Sequence, residues 1–335
     1  MSIDSSWGSS HLQRSEIFRN MFKDLQLEPT MAQQWVNFIG DIPADSMRTE
    51  LLINSIGELE VDNWFEHKSL PERRMDTGQF KFKIDEFKGL KVAFSDHFFE
   101  TSFQANQVLA ATPAKMKRAM DVYMETKILE LANDQTLDSA NEINGYKHRI
   151  IGGGDGTSAP QDSLTLQDFS YAKTSLRKAA APMTNLIAIV DPLTEHNLNV
   201  KSNIVDISNN PRWEGLVETG MMDGTGLRFS RNIYGFDVYV SDFLADIDAD
   251  EATLTDYKGT APTAADITGF KSNIFMSFGG DASPFIGAMG RAPRFTSWRD
   301  EDVETEYHQL TQSFGLALYR PENLVTVLTS PTAIA

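Results

Sequence analysis

Cysteine is absent from all 335 residues, and that removes disulfides, thiol nucleophiles, thiolate zinc sites and iron–sulfur clusters in one step. A chain with no use for an oxidising compartment fits the cytosol. Long apolar runs are lacking as well. Nowhere do about eighteen apolar residues follow one another, and the opening MSIDSSWGSSHLQRS has no apolar stretch behind a basic start. The sequence therefore predicts neither a signal peptide nor a membrane span. Positive charge is scarce, with 30 basic against 47 acidic residues and a formal charge of −17. Gripping nucleic acid through its phosphates needs a clustered positive surface, so only weak, non-specific contact with DNA is expected.

Catalytic patterns are missing too. GGGDG (Gly152 to Gly156) suggests a phosphate cradle, but Thr157-Ser158 is not preceded by the lysine a P-loop requires. It is read as a flexible joint. DIDADEATLTDY starts like a calcium loop at Asp246, Asp248 and Asp250, yet Glu251 replaces the turn glycine and Tyr257 stands where a bidentate glutamate belongs. His97 and Glu100 have helical spacing but no third ligand nearby, and His11, His67, His148, His196 and His308 are scattered. No G-x-S-x-G, H-E-x-x-H or dinucleotide fingerprint occurs. The sequence assigns no catalytic, cofactor or metal residues, and an enzyme is not expected.

What is present is a 41% hydrophobic chain, enough for roughly two domains. Helical patterns run over Ser15 to Leu27 and Asp45 to Leu59. From Val61 to Ser102, alternation through Phe80, Phe82 and Ile84 predicts a long β-hairpin bearing lysines, with an aromatic face of Phe80, Phe82, Phe87 and Phe94. Thr112-Pro113 resembles a cap followed by a first-turn proline. The helix it would start, to Asn133, is about 30 Å long and carries a stripe of Met116, Met120, Tyr123, Met124, Ile128 and Leu131. After the glycine-rich joint, Thr165 and Asp168 cap a helix to about Ala181, Leu186 to Val190 is a wholly apolar strand, and a short helix is expected around Trp213 to Thr219. Phe236, Val238 and Val240 mark a further strand. Two apolar runs, Phe314 to Tyr319 and Leu324 to Leu328, flank the break Arg320-Pro321-Glu322-Asn323 and are read as a terminal pair.

That order of elements, with LALYRPENLV near the end and NIYGFDVYVSDFL (Asn232 to Leu244) before it, resembles the major capsid proteins of tailed bacteriophages, the Hong Kong 97-type fold. The resemblance spans about Arg48 to Thr329 and implies an α+β class. It implies residues 1–60 as an N-terminal arm, 61–102 as an extended loop, 103–151 with 291–330 as a peripheral domain around a spine helix, and 165–290 as an axial α/β domain. It further implies hexamers and pentamers in an icosahedral shell enclosing a double-stranded DNA genome, found in the virion and, during assembly, in the host cytoplasm. A portal protein, a separate scaffolding protein because the arm is short, and a decoration protein would be its partners, with no membrane. An encapsulin-like compartment shell and a soluble α/β enzyme of unrecognised type are the alternatives.

The methionine stripe yields a direct test. Met120→Asp places a charge without a partner on the buried side of the long helix and is expected to cost several kcal/mol, on the order of 3. An unchanged melting temperature would show that the stripe is not buried.

Overall fold

A computed structural model describes residues 30–41, 50–56, 66, 77–101, 105–135, 141–153, 163–200, 217–219, 229–247, 254–260, 267, 269–279 and 282–330. The helix expected over Ser15 to Leu27 lies outside these residues. In chain order the strands begin with β1 (Val36–Asp41), β2 (Glu50–Ile56), β3 (Thr77–Lys83) and β4 (Glu86–Ser95). Helices α1 (Asp96–Thr101) and α2 (Ala105–Glu130) follow, then β5 (Glu142–Ile143), β6 (Tyr146–Lys147), β7 (Arg149–Ile151) and α3 (Leu166–Lys178). Next come β8 (Leu186–Val190), α4 (Pro192–Val200), β9 (Val217–Thr219), β10 (Phe229–Ile233), β11 (Phe236–Val240) and β12 (Lys271–Ser277). The chain closes with β13 (Phe285–Asp300), β14 (Thr305–Leu318) and β15 (Leu324–Thr329).

Two main sheets organise these strands. One has the order β1-β13-β14-β4, the other β7-β15-β12-β8-β11-β10-β9. The apolar run of β8 explains itself inside the second. Leu186, Ala188 and Val190 face Phe169, Ala172 and Leu176 of α3, while Ile187 and Ile189 face Met124 and Ile128 of α2. A strand covered on both faces has no reason to alternate with polar residues. The capping box on α3 forms as its sequence requires, Thr165 and Asp168 satisfying each other's backbone N–H.

At 26 residues, α2 is about 39 Å long. Its buried stripe advances by one turn at a time, Met116 and Met120 on Leu310 and Val92 of the four-stranded sheet, then Met124 and Ile128 on the seven-stranded one. One helix thus stitches both sheets. It begins eight residues before Pro113, which lies within it and not at its first turn. Thr112 is not a cap, since its Oγ1 donates back to the Val108 carbonyl at 2.8 Å. Tertiary packing overrides the local preference against an interior proline.

Several expectations are corrected. The stretch Asp45 to Leu59 is not helical where described: β2 pairs antiparallel with β3, from Glu50↔Lys83 to Ile56↔Thr77. Leu51 and Ile53 satisfy a strand's alternation, and pairing decides between the two periods. Consequently β3 and β4 are not the two arms of a hairpin. The ribbon is β2–β3, while β4 pairs with β14. Nor do the phenylalanines share a face. Phe82 is fully buried against Ile84, Ile286 and Ala288 of its own chain with Phe80 beside it, Phe94 packs on Phe98, Phe99 and His308, and Phe87 alone is widely exposed. Val217–Thr219 is a strand, not the end of a helix; Trp213 lies outside the described residues. The terminal runs β14 and β15 belong to different sheets, so they are not a pair.

The start of the described chain is drawn into the core. Met31, Ala32, Trp35 and Val36 are buried, Trp35 packs on Tyr239 with ring centroids 5.0 Å apart, and β1 runs parallel to β13. Glu125, fully buried on α2, accepts the N–H groups of Met31 at 3.1 Å and Ala32 at 2.7 Å. A carboxylate so placed fixes the segment against the helix.

Gly315 shows how tightly the ribbon base is seated. A Cβ there would lie 2.3 Å from the Lys83 carbonyl oxygen and 3.0 Å from Ile84 Cα, both rigid backbone atoms, whereas one at Gly89 would meet nothing nearer than 3.3 Å. Gly315→Ala is expected to destabilise by about 1–3 kcal/mol or more, Gly89→Ala by under about 1 kcal/mol. Chemical denaturation of both variants checks the contrast, and equal midpoints would mean that β14 and the β3–β4 connection do not touch.

Candidate assembly surface

Sequence-derived chemistry is dispersed by the fold. Asp168, besides capping α3, accepts the N–H of Gly153 at 3.0 Å, and the Gly152 N–H donates to the Leu328 carbonyl at 2.9 Å, so the first two glycines of the joint are engaged where a phosphate cradle would need free donors. Residues 154–162 lie outside the described set. Asp246 is ion-paired with Lys271 at 2.8 Å; Asp248, Asp250 and Glu251 are not described. His97 and Glu100 are both exposed on α1. Among the described residues no group of three metal-ligating side chains occurs, and no helix is long and apolar enough to cross a membrane.

A cleft of about 180 Å³ opens between the end of α2, the β3–β4 connection and Leu316, lined by Asp85, Glu86, Lys127, Glu130 and Asp134. Lys127 is bound to Glu130 at 2.5 Å, and Glu86 is held by Lys88 and by the Tyr123 hydroxyl, each at 3.1 Å. These carboxylates serve neighbouring side chains of the fold.

Exposure follows a different pattern. Among the described residues the large exposed hydrophobic side chains are Ile39, Leu52, Phe87, Leu90, Phe295, Trp298 and Val303. All lie on the four-stranded sheet, on its tip, or on the β2–β3 ribbon, and none on the seven-stranded sheet. One face of the four-stranded sheet packs on α2 through Leu310, Phe314 and Val92. The opposite face carries five cross-strand rows: Arg291–Ser313–Phe87, Arg294–Thr311–Gly89, Thr296–Gln309–Lys91, Trp298–Tyr307–Ala93 and Asp300–Thr305–Ser95. Lys91 Nζ sits 3.7 Å from the Tyr307 ring centroid and 4.9 Å from that of Trp298. Register shifts on either side of Arg291 place Pro293 at an irregularity, where its missing N–H costs no ladder bond. No single signal in the sequence revealed this face, because its members come from three strands.

The two sheets meet where the chain crosses from β14 to β15. Gln135 Nε2 donates to the Leu324 carbonyl at 2.6 Å and to that of Pro321 at 3.2 Å, and Asn323 Nδ2 donates to Ala282 at 2.7 Å. His148, fully buried, donates from Nδ1 to the Leu324 carbonyl at 3.0 Å.

One helix is thus laid across two sheets, one buried and one extended into an exposed hairpin beside a separate ribbon. Solved structures share that arrangement. The chain is similar to the capsid structure of cyanophage P-SCSP1u (12% identity, 93% of this chain and 92% of that one, TM-score 0.66). It is likewise similar to the mature capsid of bacteriophage PhiM1 (8%, 92% and 90%, 0.63) and to the capsid of cyanophage Pam1 (12%, 92% and 94%, 0.60). No family model matches the sequence, and no curated protein does. The chain has the fold of phage capsid proteins over nearly its whole length.

Burial lowers the proton affinity of His148, partly offset by its bond to Leu324 and by Glu322. The stability that its neutral form contributes is whole above the unfolded imidazole value of about 6.5, and is lost as pH falls through the lower folded value. The melting temperature is therefore expected to drop on acidification below about pH 6.5, with a shallower drop in His148→Gln. Identical pH profiles would assign the sensitivity to other groups.

Proposed function

We propose that this protein is the major capsid subunit of a tailed bacteriophage, assembling into hexamers and pentamers of an icosahedral shell around double-stranded DNA. The observation that carries this reading is the confinement, among the described residues, of large exposed apolar side chains to the four-stranded sheet and the β2–β3 ribbon, in a chain with the fold of phage capsid proteins over nearly its whole length. Apolar surface left on extended strands is surface meant for neighbours. The work is association, and it needs area and reach in place of a nucleophile.

On this reading α2 is the spine of a peripheral domain, the four-stranded sheet is its body, the β2–β3 ribbon is the extended loop, and the α3–β12 region is the axial domain. Residues 291–330 divide between the two, since β15 completes the seven-stranded sheet. The partners are further copies of the chain, a portal protein, a separate scaffolding protein and a decoration protein, with the subunit passing from host cytoplasm to virion. A charge of −17 suits a wall that holds DNA without gripping it.

Electron microscopy and sedimentation of the purified protein test the proposal. Closed shells or capsomer rings at near-physiological salt are expected. A compact monomer at every concentration and salt would overturn it.

A further inference from the structure

Asn144 is the only asparagine of the chain that a glycine follows. The pair forms the two-residue loop between β5 and β6, with φ of 52° at Asn144 and 77° at Gly145. Both angles are positive, the loop geometry for which Asn-Gly is the preferred pair. The same pair carries a chemical liability, because glycine has no side chain to keep its nitrogen from the amide carbon of the residue before it. Both residues are exposed, and a Cβ built at Gly145 would meet nothing within 4 Å. Among the described residues the Gly145 N–H donates no hydrogen bond.

The hairpin depends on what it touches. β5 and β6 make two pairs, Glu142↔Lys147 and Ile143↔Tyr146, too few to hold a ribbon together in water. Helix α3 supplies the rest. Asn144 Nδ2 donates to the Lys178 carbonyl at 2.8 Å, the Lys147 N–H donates to the Tyr171 hydroxyl at 2.8 Å, and Ser175 Oγ donates to the Lys147 carbonyl at 3.1 Å. Next along the chain is His148, whose N–H donates to the Asn141 carbonyl at 2.8 Å and whose ring bonds the Leu324 carbonyl. The hairpin is thus one residue from the crossing between the sheets.

We infer that Asn144 is a site of spontaneous deamidation, and that its conversion to isoaspartate releases the β5–β6 hairpin from α3. The Gly145 nitrogen gives up its proton and bonds to Asn144 Cγ; the Cγ–Nδ2 bond breaks, and the amide nitrogen leaves with that proton as ammonia. Water then opens the five-membered imide, at the main-chain carbonyl to give isoaspartate or at Cγ to give aspartate. Water is the only co-reactant, and the loss of ammonia makes the change one-way. Local opening of the hairpin governs the rate, since the turn must leave its folded angles for the nitrogen to reach Cγ. Either product removes the donor to Lys178 and sets a carboxylate at the negative, C-terminal end of α3. Isoaspartate also adds a carbon to the backbone, which a two-residue loop cannot absorb without losing the Ile143↔Tyr146 register. The inference concerns the subunit itself and does not rest on the proposed function.

The test keeps the full-length protein at mildly alkaline pH and physiological temperature, folded and in parallel in urea, with samples taken over days. Trypsin, cutting after Lys127 and Lys147, yields one peptide holding Asn133, Asn141 and Asn144, so the first two serve as internal references. Isoaspartate exceeding aspartate is expected at position 144 in both samples, faster in urea, with Asn133 and Asn141 intact. Gly145→Asn, which tolerates a positive φ but shields the nitrogen, should slow the conversion by an order of magnitude or more. Conversion confined to the urea sample, equal conversion at Asn133 or Asn141, or a rate indifferent to Gly145→Asn overturns the site. Release is read separately by amide hydrogen exchange. Exchange over residues 142–148 is expected to rise in step with isoaspartate, and to be raised in freshly made Asn144→Asp. Converted protein that exchanges there as slowly as fresh protein overturns the release.

Discussion

The chain passes directly between its two main sheets twice, from β12 to β13 and from β14 to β15, and the second crossing fixes how the sheets are related. Between Leu318 and Leu324 the chain must leave the exposed sheet and enter the buried one, and it does so in a short turn where Pro321 opens one turn of 3₁₀ helix. A turn that passes between two cores cannot lean on water for its backbone groups, so side chains must supply the partners. Gln135 does this from the end of the long helix, donating to Pro321 and Leu324 and accepting from Thr326 Oγ1. Asn323 and His148 complete the set. Because only the 3₁₀ turn Leu131–Asp134 separates Gln135 from the helix that packs on both sheets, the relation of the sheets is fixed where the chain changes from one to the other.

That arrangement divides labour by burial. The seven-stranded sheet hides its central strands under helices on both faces and supplies folding stability. The four-stranded sheet is clamped by α2 over part of one face, and beyond Gly290 β13, which pairs with β1 only as far as Met289 among the described residues, is an exposed edge along nearly its whole length. An exposed edge strand is ordinarily a liability, which proteins blunt with charge, proline and irregular register. Arg291, Pro293, Arg294 and the neighbouring register shifts do so here, discouraging unspecific pairing while leaving side chains available for a specific one.

Legibility in the sequence followed the range of the interactions involved. The capping box at Thr165 and Asp168, the apolar β8 and the methionine stripe depend on neighbours within a few residues or on one periodicity, and they stand where the sequence put them. The capsid fold was legible from element order, which survives at identities near 10% because order is set by topology and not by particular side chains. Pairing was not legible. Leu51 and Ile53 fit a strand and a helix equally, and the partner of β3 lay upstream across more than twenty residues, so the ribbon was assigned to the wrong strands. The end of the chain was misread for the same reason: two apolar runs about a turn look like a hairpin when nothing local says that each belongs to another sheet.

The placement of ionisable groups among the described residues and the presence of the open face have one physical origin. A buried charge or nucleophile is costly to a fold and is retained where chemistry demands it. In this chain the ionisable groups that are buried serve structure: Glu125 fastens the incoming segment, Asp168 closes a helix end and a glycine turn, and His148 bonds a carbonyl at the crossing. Arg291 and Arg294, which enter no ion pair among the described residues, stand on an exposed strand. Individually such surface charges are worth little, and an isolated subunit gains almost nothing from them. In the proposed shell, repeated around a closed symmetric assembly, they would act together, each contact raising the effective concentration of the next. Weak contacts then suit the task better than strong ones, because a misplaced subunit can leave before its neighbours lock it in.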